Sequence, residues 1–476
     1  MDTTASGIND GGDTPLRVAI VGSGPGGFYA AEALLASGLA VEVDLIERLP
    51  VPYGLVRFGV APDHAKLKSV TAVFAQIAQD PRLRFFGNVS LGRDVSAAEL
   101  ARMYHAVIVA TGADGDRKLG IDGEALAGVH AARDFVGWYN GAPDCAALEF
   151  DLSHEVAVVV GQGNVAIDVC RILARPVDAL RRTDIAQHAL DALAASRVRH
   201  IHLVGRRGPV QAKFTPKELR ELGTLPGWQP LVDPAALELN PASAAELALP
   251  ACAQAAKNVD ILRAFAARPR EAERAIQLHF LHAPAALHGD ARVRGITLDT
   301  QRLAGPPGAQ TAEADGGRVS LDCGLVLRSV GYRGSALPGL PFDARAGVLP
   351  NDAGRLTGAA GSPLPGWYVT GWIKRGPGGV IGTNRADSVE TVDTLLRDVA
   401  SLRGDKPGRR ALRAALEQRG HRVIDLAGWL AIERAERARG EALDKPMDKF
   451  VRIDDMLAAA AGRADAACGL RPSAPA

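Results

Sequence analysis

Two glycine-rich turns, each set between an apolar run of strand length and a helical stretch, decide most of what this chain can become. The first is Val21-Gly22-Ser23-Gly24-Pro25-Gly26-Gly27, after Arg17–Val21 and before Phe28–Leu39. The second is Gly161-Gln162-Gly163-Asn164-Val165-Ala166, after Val156–Val160, with Ala in the third glycine place. The glycines serve a tight turn, close approach of backbone to a pyrophosphate, and close packing of helix on strand. The helix that follows turns its partial positive charge toward the phosphates. A further strand closes each unit, Val41–Ile46 and His200–Val204. The expected fold is therefore α/β, with two Rossmann-like dinucleotide-binding domains.

The residue that ends the second strand of each unit separates their tasks. Glu47 stands 20 residues after Gly27, where an acid accepts hydrogen bonds from ribose hydroxyls and repels a 2′-phosphate. In the second unit the strand runs into Gly205-Arg206-Arg207-Gly208-Pro209, and two guanidiniums suit a 2′-phosphate. The interval from Ala166 to Arg206 is long, and Arg175–Val198 reads as an inserted helix. FAD is thus expected at the first turn and NADP(H) at the second.

Composition narrows the class. At 476 residues the chain calls for two or more domains or one split domain. A formal charge of +1 gives no global field to recruit nucleic acid or a membrane, so a charged partner must be steered by a local patch. Cys145, Cys170, Cys252, Cys323 and Cys468 are scattered without a C-x-x-C pair. That pattern reads as reduced thiols in a cytoplasmic setting, with no metal or iron–sulfur ligand set and no dithiol relay. Residues 1–15 read as a flexible lead unlike a signal or transit peptide, and the apolar runs are too short for a membrane span. Residues 234–256 read as a helical insertion or a surface excursion, 303–318 as a loop between strands, and the chain beyond Ser401 as a charged helical extension.

The segment Pro52-Tyr53-Gly54-Leu55-Val56-Arg57-Phe58-Gly59-Val60-Ala61-Pro62-Asp63-His64 resembles the corresponding stretch of adrenodoxin-reductase-type ferredoxin–NADP(+) reductases. The resemblance continues through Phe86–Val89, Ala110–Ala113, Gly163–Ala166, Gly205–Pro209 and Arg328–Gly334, and is strongest at Gly371-Trp372-Ile373-Lys374-Arg375-Gly376-Pro377 and on to Asn384. It implies a glutathione-reductase-like architecture with an NADP domain (114–328) inserted into a discontinuous FAD domain (16–113 and 329–476). Electrons would pass from NADPH through FAD to a separate ferredoxin-type iron–sulfur protein.

Residue by residue, the resemblance implies FAD contacts at Gly22, Gly24, Pro25, Gly27, Glu47, Leu55, Val56, Thr111, Gly112, Trp372, Gly379, Val380 and Ile381. It implies NADP(H) contacts at Gly161, Gly163, Asn164, Val165, Arg206, Arg207 and Glu218, and places His64 and Glu221 near the nicotinamide, as catalytic or merely positioning residues. Lys213 stands where this family usually has a small residue, and it either adds phosphate affinity or is simply exposed. Thr383 or Asn384 is expected to cap the helix after the Gly376–Gly382 loop, whose N-terminus would lie at the flavin. A basic docking face for an acidic ferredoxin is expected to include Lys257, Arg263, Lys374 and Arg375, with Arg268 and Arg270 nearby. Gly371-Trp372 replaces the Gly-Asp pair of disulfide reductases, which with the missing C-x-x-C argues against that activity. An NADPH-dependent flavin monooxygenase or oxidase is the alternative, but no substrate motif supports it. A nucleotide-binding protein without catalysis would show damaged motifs, and these are intact.

Overall fold

The computed structural model describes residues 15–358, 360–402 and 404–462. Most of the expected lead (residues 1–14) and Cys468 lie outside them. Two sheets carry the architecture. In the first, β1 (Leu16–Val21) lies between β2 (Val41–Glu47) and Ala106–Val109, with Val21 opposite both Ile46 and Val109. Leu83–Gly87 extends it on one side, and Pro363–Val369 joins it on the other, parallel to Ala106–Val109. The sheet thus combines strands from both ends of the chain. The second sheet takes its strands from the middle: Val129–Ala131, Leu325–Arg328, β3 (Val156–Val160), β4 (His200–Val204), Arg274–His279 and Trp228–Val232, in that spatial order.

The central strands Leu16–Val21, Ala106–Val109, Val156–Val160 and Leu325–Arg328 read as nearly continuous apolar runs because parallel sheets are covered on both faces. The turns leaving β1 and β3 enter α1 (Pro25–Leu35) and α2 (Asn164–Ala174). Further on lie α3 (Pro216–Leu222), α4 (Ala253–Ala266) and α5 (Thr383–Asp398). Packing of α5 on α1 joins distant sequence, with the Ser388 hydroxyl donating to the Gly26 carbonyl at 3.0 Å. Trp429, Ile432 and Met456, from the helices Leu426–Glu441 and Ile453–Ala460, bury in the core of the first sheet, so the C-terminal extension wraps it.

Two local expectations need correction. Residues 303–318 are mostly strand: Gly295–Ala304 pairs antiparallel with Thr311–Asp322, leaving residues 305–310 as the connection. Side chains of the second strand face solvent almost throughout, so no apolar alternation marked it. The stretch 175–198 holds two short helices, Val177–Arg181 and Gln187–Ala194, rather than one. Among the described residues, no helix is long and apolar enough to cross a membrane.

Candidate functional site

The first turn is locked by its glycines. A Cβ on Gly22, whose φ is +109°, would lie 2.5 Å from the Ala110 carbonyl oxygen. One on Gly27 would lie 1.9 Å from the Gly22 oxygen, so α1 packs on the turn only without a side chain there. Gly24 is different: nothing lies within 4 Å of a Cβ built on it. It is the N-cap of α1 and offers no side-chain oxygen, so no capping side chain occupies the start of the helix. Uncapped donors beside an opening fit a pyrophosphate.

Glu47 is oriented by three donors. Its Oε2 accepts from the Ser23 amide (3.0 Å) and hydroxyl (2.6 Å), and its Oε1 from the Leu49 amide (3.1 Å). A carboxylate accepts about four hydrogen bonds, so Oε1 keeps room for a ribose hydroxyl. The Tyr53 amide donates to the Ser23 carbonyl at 3.0 Å and sets Gly54, Leu55 and Val56 beside the turn. Thr111 and Gly112 follow directly on the Ala110 carbonyl that Gly22 packs against.

Gly371 closes the other side, since a Cβ on Gly26 would lie 3.6 Å from the Gly371 Cα. Asp387 of α5 accepts from the Gly371 amide at 2.5 Å and from the Thr370 hydroxyl at 3.1 Å. Trp372 donates its indole N–H to the Gly378 carbonyl at 3.1 Å and packs against Tyr332, the rings 5.6 Å apart. This holds the loop bearing Gly379, Val380 and Ile381 at the start of α5. Neither Thr383 nor Asn384 caps that helix. The N-cap is Gly382 without a side-chain bond, while the Thr383 hydroxyl accepts from the Val380 amide and Asn384 donates to the Ile381 carbonyl. Both side chains tie down the loop and leave the helix end open.

Lys374 does not belong to a docking face. Its ammonium is buried between Asp387 (3.0 Å) and Glu390 (2.5 Å), because two acids of α5 meet it under the turn Trp372–Arg375. Arg375 is also engaged, donating to the Gly378 carbonyl (2.6 Å) and to Asn384 (3.0 Å). Lys257 and Arg263 on α4 are exposed, Arg263 lying 3.7 Å from Asp260.

The second turn repeats the logic of the first. Gly163 caps α2 without a side chain, and nothing lies within 4 Å of a Cβ placed on it. The Lys213 amide donates to the Gln162 carbonyl (2.7 Å) and the Thr215 amide to Asn164 Oδ1 (2.8 Å), so the segment before α3 is clipped along the turn. Gln162 in turn donates to the Arg207 carbonyl at 3.0 Å, which brings Arg206 and Arg207 to the turn. Among the described residues neither guanidinium, nor the exposed Lys213 ammonium, has a carboxylate within 4.0 Å. Three uncompensated cations beside an open helix end suit a phosphorylated ligand.

The two halves meet at His64. Its Nε2 lies 3.0 Å from Glu221 Oε2 and 3.6 Å from Glu218 Oε2, both on α3. The two acids sit in unlike surroundings. Glu221 borders Arg171, while burial first, and then the charge of Asp168, push the Glu218 carboxyl up, and its Oε2 has no hydrogen-bond donor. Burial also pushes up Asp168 despite Arg171 beside it. His64, Asp168 and Glu218 present their ligand-type atoms within 4.8 Å of one another. Such separated acids are typical of working sites. The sequence reading missed Asp168, Arg171 and Asp387; the available signal was the charged pair Asp168 and Arg171 inside the otherwise apolar helix Asn164–Ala174.

Fold and site together define a two-dinucleotide oxidoreductase, and residues 16–221 match the family of pyridine nucleotide-disulphide oxidoreductases. The chain is 45% identical over 457 residues to the mitochondrial NADPH:adrenodoxin oxidoreductase of Salvelinus fontinalis, covering 93% of this chain and 90% of that protein. It is equally 45% identical over 457 residues to the NADPH-ferredoxin reductase FprA of Mycobacterium tuberculosis (strain ATCC 25618 / H37Rv), covering 93% and 98%. The structure of Mycobacterium tuberculosis FprA in complex with NADPH superposes with a TM-score of 0.90 at 43% identity, over 94% of this chain and all of that one. The chain belongs to the adrenodoxin-reductase/FprA-type family of NADPH–ferredoxin reductases.

Proposed function

We propose that the protein is an NADPH–ferredoxin oxidoreductase. The observation that carries this reading is the His64–Glu221 contact, which joins the half holding the glycine turn beside Glu47 to the half holding the turn beside Arg206 and Arg207. When bound, a flavin accepts two electrons as hydride and releases them singly. Everything else falls to the chain's own groups. Gly22, Gly24, Pro25 and Gly27 hold the FAD pyrophosphate, and Glu47 accepts from the ribose. Leu55, Val56, Thr111, Gly112, Trp372, Gly379, Val380 and Ile381 bound the flavin, and the open N-terminus of α5 favours negative charge there. Gly161, Gly163, Asn164, Val165 and Glu218 hold NADP(H), with Arg206 and Arg207 at its 2′-phosphate. His64 and Glu221 set the nicotinamide's position.

On this reading residues 16–113 and 329–476 form the FAD domain and 114–328 the NADP domain. On this reading the electron acceptor is a separate ferredoxin-type protein, as the names of the adrenodoxin and ferredoxin reductases it resembles suggest. Lys257 and Arg263 remain as docking cations, and Lys374 is withdrawn. Free thiols agree with a cytoplasmic setting. A coupled assay tests the proposal: NADPH-driven reduction of cytochrome c should require an added ferredoxin. Equal rates without ferredoxin would refute ferredoxin as the acceptor.

A further inference from the structure

We infer that Arg171 is a positioning residue for the hydride-transfer site, acting through Glu221 on His64. This rests on the reading that His64 and Glu221 work at the nicotinamide. The side chain of Arg171 is fully buried, which costs a guanidinium heavily unless acids surround it. Three do, each from a different element. Asp63, in the loop that also carries His64, pairs with Nη1, and Asp168, one turn earlier on α2, lies 2.5 Å from Nη2. Glu221 of α3 places Oε2 3.3 Å from Nε, too poorly aligned for a hydrogen bond, so that link is Coulombic. The same Oε2 is the atom that meets His64 Nε2 at 3.0 Å.

The consequence for His64 follows from donor chemistry. A carboxylate held beside a guanidinium can only accept, so the His64 Nε2 must carry the proton that joins them. Among the described residues no other hydrogen bond reaches the His64 ring, so this contact alone sets its tautomer. The geometry is fixed from two points of one helix. Asn164 and Arg171 are seven residues apart on α2, about 10 Å along its axis. Asn164 accepts from the amide of Thr215, the N-cap of α3, and Arg171 faces Glu221 near the other end of α3. Asp63, which also pairs with Arg175 at 2.8 Å, anchors the guanidinium in its turn, so that it stays aimed at Glu221. The helix whose start cradles phosphate therefore also aligns the groups at the hydride.

Lysine keeps the charge but cannot reach three acids with one planar fork. In the holoenzyme, Arg171→Lys is expected to slow flavin reduction at saturating NADPH by roughly 10- to 100-fold, as a small misplacement can. The Kd for NADP+ should stay within about 2-fold, since no phosphate contact is removed. Arg171→Lys added to Glu221→Gln should be no slower than Glu221→Gln alone. Independently of turnover, 15N shifts of the His64 ring in nucleotide-free protein should report the Nε2–H tautomer, and a mixture in Arg171→Lys. Multiplicative slowing in the double variant, or an unchanged tautomer, overturns the inference. If Glu221→Gln and His64→Gln both leave reduction unchanged, the reading of those two residues fails instead, and the tautomer signal alone decides what Arg171 does. Should Arg171→Lys not fold, Asp63→Asn removes one anchor while leaving Arg171 in place, with the same expected directions and the same refuting results.

Discussion

Replacing both Arg206 and Arg207 by Ala should convert a strongly NADPH-selective enzyme into one with little preference. Neither guanidinium has an acid within 4.0 Å among the described residues, so their removal strands no buried charge, and the loss is the phosphate contact itself. A hydrogen bond to a charged group contributes about 1.5–3 kcal/mol net. One such bond from each arginine gives roughly 3–6 kcal/mol. Arg206 is exposed and therefore screened by salt, which favours the lower end. At about 1.4 kcal/mol per tenfold, the Kd for NADP+ should rise roughly 10²- to 10³-fold. Arg207, half-buried and held by the Gln162 bond to its carbonyl, should account for the larger part. Flavin difference spectra titrated with NADP+ and NAD+ measure both constants, repeated at two ionic strengths. The Kd for NAD+ should stay within about 3-fold, and the salt dependence of NADP+ binding should weaken. Equal losses for both nucleotides, or no loss for NADP+, would refute the 2′-phosphate assignment.

Three further outcomes follow from the same geometry. Gly24→Ala should leave the melting temperature of the apoprotein unchanged and weaken FAD binding at least about 10-fold, because its Cβ enters only the open space before α1; Gly27→Ala, whose Cβ would sit 1.9 Å from the Gly22 oxygen, should lower the melting temperature by an overpacking cost of about 1–3 kcal/mol. Lys374→Met should destabilise the fold by about 3–5 kcal/mol and leave the KM for ferredoxin unchanged, whereas Lys257→Glu with Arg263→Glu should raise that KM at low salt without changing stability. Lys449 is fully buried 2.9 Å from Asp184, which Lys68 also contacts at 2.8 Å; burial first, and then the charges of Lys68 and Arg57, bring its ammonium from the ordinary 10.5 down to about 7 against the pull of Asp184. Between those values the unfolded chain holds a proton that the native chain lacks, so this group makes stability rise with pH from about 7 toward 10.5. Thermal unfolding across that range should show the rise, and Lys449→Met should reduce it, leaving the part due to Lys68 and Lys445, whose ammonium groups burial also pushes down.

What the sequence disclosed is what is written locally. Both glycine turns, Glu47 and the Arg206–Arg207 pair were legible because a few consecutive residues and one strand length place them. Only resemblance pointed to His64 and Glu221, and their 3.0 Å contact was not foreseen, since 157 residues separate them and no spacing rule spans that distance. Arg171 showed only half of its setting: Asp168 is a local partner three residues away, but Asp63 lies 108 residues upstream and Glu221 on another helix, so nothing in the sequence joined them. Lys374 misled because a lysine beside an arginine normally faces solvent, and its acids appear only on the next helix, at Asp387 and Glu390. The strand Thr311–Asp322 was hidden by glycines and solvent-facing polar residues, its order coming from pairing with Gly295–Ala304.

The most direct test is anaerobic mixing of the purified protein with NADPH or NADH, followed by oxidised ferredoxin. The account predicts that NADPH bleaches the flavin spectrum in strong preference to NADH, and that ferredoxin then restores it as its own centre is reduced. A protein that binds no flavin, bleaches equally with NADH, or stays reduced when ferredoxin is added would contradict it.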